Sequence, residues 1–477
     1  MKPLCLPFLL CGVLAACGPS GGTAASTASG GATAGASSSG GRGGTTGGPG
    51  STSTTSGSSS GGTVGSHATS TASSSAGGAS GSGTTAGAGT SGGGSTGGTS
   101  ASGGSSGGST AGLCGFGPTR DPIAQPFASG SIWNTPIGSG AVYVPAAIVP
   151  PSQWAIGHDE DVLVLTPTAP LTEVDYSSAG WGNVNDRCTP DSPLQALFTL
   201  PLPADFVLDY TSGTPNACLA GLAQDGHTLI QGQPFARCSD GGPETIEYLS
   251  SGDPFGPDDA GVPDEDLYGD GLFGSHGGSS LSALGGSLRV GELRPGGCAP
   301  RHALKVDLDG AENYYNDGAG CFVWPATSSD SGGCGPGGYY GGSNPALLEG
   351  ALLALPASLD ITAMGFETEP GLQLAWTFQN YGAYVVDDTG DSAFDICTEL
   401  GPAGSFGDQF EADYGYDMEQ AQVNPTGPEP WAQWVRDVDR IFLNLAVVAN
   451  NGPTTVGGGG TPLQPLAPQI GEGADGG

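Results

Sequence analysis

His302-Ala303-Leu304-Lys305-Val306-Asp307-Leu308 alternates residue by residue. His302, Leu304, Val306 and Leu308 fall on one face of an extended chain, and Lys305 and Asp307 on the other, which is the period-2 pattern of a β-strand. Outward from it, short stretches of similar character lie at 161–166, 195–200, 205–210, 227–231, 245–249, 321–324, 383–387 and 393–397, each bounded by Gly, Pro, Asn or Asp. Many short strands between turns predict a mainly β domain with the architecture of a sandwich or jelly roll. A few packed helices are expected beside them. Asn344-Pro345 supplies a cap and a first-turn proline for a helix over 346–355; Thr368-Glu369-Pro370 does the same over 371–381, which Gly382 ends. From Pro430 onward, Trp431, Trp434, Val435, Val438, Ile441, Phe442 and Leu445 recur at helical spacing, so a third helix should pack on the sheet.

These elements fall within residues 113–452; the chain beyond residue 112 carries all 46 acidic residues but only 9 of the 11 basic ones, a formal net charge of −37. Such a charge excludes a nucleic-acid partner. Beyond the first residues the only lysine is Lys305, followed by Val306, so no phosphate-loop motif exists. No second linker interrupts the segment, and one domain is expected. Residues 453–477, with four glycines at 457–460 and Pro-rich sequence after them, read as an irregular or disordered tail.

Residues 18–112 are almost entirely Gly, Ser, Thr and Ala, with no acidic or aromatic side chain and no Cys. They cannot bury enough apolar surface to offset chain entropy, so they read as a disordered tether. Its r.m.s. span is about 55 Å as a Gly-rich coil. Before it, Met1-Lys2 and an apolar run too short to span a bilayer end in Leu14-Ala15-Ala16-Cys17. This leader, 1–17, resembles the bacterial lipoprotein signal, which implies lipidation at Cys17, export, and anchoring at the outer membrane or cell surface.

Eight cysteines follow the leader: Cys114, Cys188, Cys218, Cys238, Cys298, Cys321, Cys334 and Cys397. An even number in an exported domain predicts up to four disulfides, with the pairing open. No Cys-x-x-Cys pair and no His near a Cys at zinc spacing occurs, so no metal centre is expected. Calcium is the one ion for which the sequence offers oxygen ligands around glycine turns, at Asp387-Asp388-Thr389-Gly390-Asp391 and Asp307-Leu308-Asp309-Gly310, though neither has the twelve-residue spacing.

Two motif matches carry no chemistry. Gly103-Gly104-Ser105-Ser106-Gly107 fits a hydrolase nucleophile pattern but lies in the tether, which cannot form the strained elbow. Gly269-Asp270-Gly271-Leu272-Phe273-Gly274 fits a dinucleotide fingerprint, but nearby Asp264, Glu265 and Asp266 would repel a pyrophosphate.

Acid–base chemistry falls to few histidines. His302, at the end of an apolar strand face, reads either as a hydrogen-bonded core residue or as the base of a site with Glu292, Arg289, Arg301 and Tyr314-Tyr315. In the second reading an arginine neutralises a uronate carboxylate while His or Tyr takes the proton beside it, as in a polysaccharide lyase. His227, after the Asp225-Gly226 turn, is a candidate for the same site, and His276, between glycines, is expected to be exposed. For a glycosidase, Glu292, Asp307, Glu349, Glu367 and Asp395 are all candidates, and only their separation would choose. A non-catalytic carbohydrate-binding domain would use exposed Trp133, Trp154, Trp181 or Trp324. An adhesive or structural surface protein is the third class.

Ser131-Ile132-Trp133-Asn134-Thr135-Pro136, Gly285-Gly286 followed by Arg289 and Glu292, Arg301-His302-Ala303-Leu304, Val323-Trp324-Pro325, Tyr381-Gly382 and the 457–462 run resemble, in that order, an uncharacterised family of secreted bacterial proteins. The resemblance spans most of 125–465 and implies one exported domain. It brings no catalytic residues. The reading that unites these observations is a lipid-anchored surface protein whose domain meets extracellular polysaccharide, by cleaving it or by holding it.

Overall fold

The computed structural model describes residues 119–181, 186–210, 216–250 and 265–470. The leader with Cys17, the tether and Cys114 lie outside the described residues. The strands, in chain order, are β1 (Tyr143–Pro145), β2 (Gly157–Val164), β3 (Leu171–Tyr176), β4 (Ala196–Pro201), β5 (Leu219–Leu222), β6 (Thr228–Gln233), β7 (Glu244–Ile246), β8 (Tyr248–Leu249) and β9 (Glu265–Asp266). After them come β10 (Leu304–Leu308), β11 (Leu352–Ala354), β12 (Ala383–Asp388), β13 (Phe394–Gly401), β14 (Gly404–Ser405) and β15 (Ala446–Val448). The helices are α1 (Gly310–Asn313), α2 (Glu369–Asn380), α3 (Phe406–Tyr414) and α4 (Pro430–Phe442). The fold is mainly sheet with few helices, as the strand pattern predicts.

One mixed sheet has the order β1-β15-β11-β12-β10-β13-β2-β5-β6-β8, with β14 on β13 and β9 on β6; β4-β3-β7 form a second, smaller sheet. At its centre β10 runs parallel to β12 and antiparallel to β13, while β2 is parallel to both β13 and β5. Every residue of β10 is buried, so both faces of this strand are covered.

The two faces differ in chemistry. On one, Val306 is opposite Ile396, and Phe394 stacks on Phe442 of α4 with ring centroids 4.5 Å apart. The same face of β2 offers Val162 and Val164 to the small sheet, and Val174, Leu200 and Ile246 close a second apolar cluster there. The α2 helix begins as its caps predict, with the Thr368 hydroxyl accepting from Gly371 N at 3.1 Å. Asp437 of α4 accepts from the backbone of Glu367 and Thr368, joining the two helices. The opposite face carries Lys305 and Asp307 of β10, Cys397 of β13 and Asp159 of β2, the last two paired in register.

Several expectations need correction. Residues 346–355 form no helix: Asn344 does cap the turn, accepting from Ala346 N at 3.0 Å, but Gly350 has φ +82° and Leu352–Ala354 pairs with β12 and β15. Tertiary pairing overrides the local signal. Residues 205–210 and 321–324 contribute only isolated bridges at Leu208 and Phe322. The tail reaches back over the domain as far as Ile470, which bridges Arg120, and Gly457 O accepts from Gly138 N at 2.9 Å.

Cysteine pairing also departs from four disulfides. Cys188 pairs with Cys238 and Cys321 with Cys334, and Cys298 is disulfide-bonded as well. Cys218 and Cys397 are free and buried. Cys397 lies on β13 and Cys218 immediately before β5, with β2 between them. Two strand spacings of about 4.8 Å put their backbones beyond disulfide reach.

Candidate functional site

Three of the sequence-derived site residues come together. His302 Nε2 lies 3.0 Å from Glu292 Oε2, and its Nδ1 is 2.9 Å from Ala303 O. Glu292 Oε2 also accepts from the Arg289 backbone N–H at 2.9 Å, while the Arg289 guanidinium turns to Glu399, 2.9 Å away. His302 and Arg289 line a crevice of about 20 Å³ with Trp133 and Asn134. That is room for a water molecule, not for a sugar ring. Burial opposes charging of His302, but the Glu292 carboxylate outweighs it and the imidazole pKa is raised.

Tyr314 and His227 stand apart from this group. The Tyr314 hydroxyl donates to Asp387 O and accepts from Leu308 N, at the far end of β10 from His302. His227 is exposed, 3.7 Å from both Asp225 and Asp266. Among the carboxylates, Glu367 sits at the surface on Arg436, while Glu349 is buried against Tyr340 and Asp330. The fingerprint-like turn is closed by its own chain: Glu265 accepts from Gly271 N and Phe273 N.

The largest concentration of chemistry lies on the polar face of the sheet, around His276. Far from being exposed, His276 is wholly buried. The loop carrying it is stitched across three strands: Ser279 N donates to Val386 O, Lys305 N to Gly286 O and Leu288 N to Cys397 O. Gly277 has φ +50°, and a Cβ there would fall 2.2 Å from the Asp387 carboxyl carbon, so only glycine lets the loop come this close. His276 Nδ1 is 2.8 Å from Asp161 Oδ1; Asp161 Oδ2 is 2.9 Å from Lys305 Nζ and accepts from Ser287 Oγ at 2.7 Å. On the other side of the ring, Nε2 is 3.5 Å from Cys397 Sγ, 3.6 Å from Asp159 Oδ2 and 3.9 Å from Asp307 Oδ1.

Electrostatics follow from this crowding. Burial would raise Asp161, but Lys305 and His276 hold its pKa below the ordinary value. Burial and Lys305 oppose charging of His276, yet the acidic groups around it push its pKa well above the usual imidazole. Burial, with Asp307 and Asp161 adding repulsion, raises Asp159. Burial, with Asp330 and Asp307 beside it, raises Asp387.

Two donor sets have metal-ligand proximity. Asp159, Cys218 and His276 place one donor atom each within 4.8 Å of one another, as do Asp161, His276 and Cys397. Asp330, Asp387 and Asp388 form a hard-oxygen group of the same span. The two calcium-like segments therefore do converge, since Asp307 is opposite Asp387 in register.

From this centre a path leads to the surface. Asn216 donates to Asp387 Oδ2 and accepts from Trp181 Nε1 at 2.7 Å. Trp181, 37% exposed, stacks on Tyr248, 51% exposed, with centroids 5.6 Å apart and planes at 19°. Trp133, in contrast, is buried and donates to Gly271 O, Trp154 is exposed, and Trp324 is partly buried against the core.

Sequence reasoning missed His276, Asp159, Asp161, Cys218 and Cys397 as one site. The available signal was alternation: Asp159 and Asp161 share a face of a strand that continues into Val162-Leu163-Val164, just as Lys305 and Asp307 do in β10. Charges at period 2 inside a buried strand mark a covered polar face. Comparison with protein-family models, curated proteins and solved structures finds no match for the chain.

Proposed function

We propose that this chain is an exported, lipid-anchored surface protein of the secreted bacterial family its motifs resemble, and that its domain binds extracellular polysaccharide. The observation that carries the reading is the exposed Trp181–Tyr248 stack, tied through Asn216 to the acidic centre at Asp387. Large aromatic faces with a polar edge are what a sugar ring needs, its C–H face packing on the ring and its hydroxyls meeting nearby amides and carboxylates. Glu247, next in sequence to Tyr248, and Asn216 are such groups.

Binding takes precedence over cleavage because the His302–Glu292–Arg289 group opens only on a crevice of about 20 Å³. The leader ending at Cys17 and the tether after it support display at the outer membrane or cell surface. The small sheet, laid over β2 and β5 with an apolar layer between, supports a sandwich-like arrangement at that edge of the domain. A glycan panel read for both retention and unsaturated or reducing-end products tests the reading. Retention without product supports it; product release moves the lyase or glycosidase reading to first place.

A further inference from the structure

We propose that His276, Cys218, Cys397 and Asp159 form a closed binding site for a divalent transition-metal ion of zinc's type. Its donors come from β2, β13, the residue before β5 and the 274–289 loop, so no local motif announces it.

The spacing is the first argument. Metal–ligand bonds of about 2.0–2.3 Å put neighbouring ligands of a tetrahedral ion about 3.3–3.8 Å apart. His276 Nε2 stands 3.5 Å from Cys397 Sγ and 3.6 Å from Asp159 Oδ2, and Cys218 completes a group with Asp159 and His276. The two thiols belong to separate donor triads that share His276, Cys218 with Asp159 and Cys397 with Asp161, so a common ion would draw them toward His276 from either side of β2.

Orientation is the second. Asp161, held by Lys305 and Ser287, faces Nδ1 of His276 at 2.8 Å. Nδ1 is thus held on the side of Asp161 and of Lys305 Nζ, 3.3 Å away, and Nε2 is the atom aimed at the Cys397 thiol. Carboxylates fix metal-ligating histidines in this way.

A third observation is independent of both. Asp307 Oδ1 has no hydrogen-bond partner although its residue is 2% exposed, and it lies 3.9 Å from Nε2. A buried carboxylate oxygen without a partner is costly, and a cation at this point would relieve it. Moreover, the other cysteines among the described residues are in disulfides, whereas the two beside His276 are not. Sulfur and imidazole donors select a zinc-type ion over calcium or magnesium. Because the site is sealed, the ion enters as the chain folds and ties three strands to the covering loop. Each thiol, and His276 at Nε2, gives up its proton to the solvent as the metal–ligand bonds form.

The test uses the full-length protein, stripped with a strong chelator in denaturant, refolded with Co²⁺ or Zn²⁺, and desalted. The proposal expects close to one ion per chain, a thiolate-to-cobalt charge-transfer band, and tetrahedral d–d bands. Cys218→Ala and Cys397→Ala, small apolar replacements suited to a buried site, should each weaken Co²⁺ binding at least tenfold and remove part of the charge-transfer band. A second measurement needs no variant: in the native protein, Zn²⁺ should protect two thiols from alkylation that chelation exposes. Refolded wild-type protein that retains no metal, or full cobalt binding by the double alanine variant, overturns the proposal.

Discussion

Lys305 Nζ and Asp161 Oδ2 stand 2.9 Å apart with neither side chain exposed, inside a sheet whose opposite face is apolar. Lys305 also donates to Ser282 O and Ala283 O, so one ammonium holds both the carboxylate and the covering loop. Removing one partner of a buried pair leaves the other charged and unsolvated. Lys305→Met should therefore cost about 3–5 kcal/mol, measured by urea unfolding of the protein. A loss below about 1 kcal/mol would mean the pair is not buried as described.

The His302–Glu292 pair sets a pH window. His302 is raised above its ordinary 6.5, so its contribution is complete below pH 6.5 and fades as pH rises through the folded value. For Glu292, burial would raise the pKa, but His302 wins and lowers it below 4.5; its contribution is complete above pH 4.5 and fades on acidification through the folded value. The pair stabilises most between about pH 4.5 and 6.5. His302→Gln should remove about 1–3 kcal/mol in that window and less at pH 9. Thermal melts across pH, showing instead a uniform loss, would contradict the ion pair.

Thiol accounting checks the cysteine assignment. Alkylation of the unfolded, non-reduced protein, after metal removal, should label Cys218 and Cys397 while Cys188, Cys238, Cys321 and Cys334 stay protected, as peptide mapping would register. Labelling spread over all of them would refute the framework.

Anchoring rests on the leader alone. Cys17→Ser should shift the protein from the detergent-extracted membrane fraction to a soluble or unprocessed form, read by fractionation and blotting. Unchanged membrane partition would remove the lipid anchor from the account.

Legibility differed between the fold and the site for physical reasons. Period-2 alternation at 304–308 and helical spacing at 430–442 are local, and both became the expected elements. Residues 346–355 also looked helical, with a capping Asn and a proline, but Gly350 and pairing with β12 and β15 decided otherwise. Nothing local distinguishes those outcomes. The α3 helix was overlooked even though Ser405 caps Asp408 N and Gly415 ends it at φ +79°. Its site counterpart is starker. His276 meets Asp161 across 115 residues and Cys397 across 121, so no spacing rule connects them. His302 attracted notice because it ends a clean apolar face, whereas the chemistry lies on the other face of the same strand, with Lys305 and Asp307.

The central claim is that a glycan stacks on Trp181 and Tyr248. It is tested most directly by titrating the full-length protein with polysaccharides from an acidic and neutral panel and comparing wild type with Trp181→Ala and Trp154→Ala. Truncating an aromatic that anchors a ligand costs about 2 kcal/mol or more, roughly a thirtyfold loss of affinity. The account predicts that loss for Trp181→Ala, with Trp154→Ala binding like wild type. Equal binding by wild type and Trp181→Ala, or no binding to any polysaccharide of the panel, would contradict it.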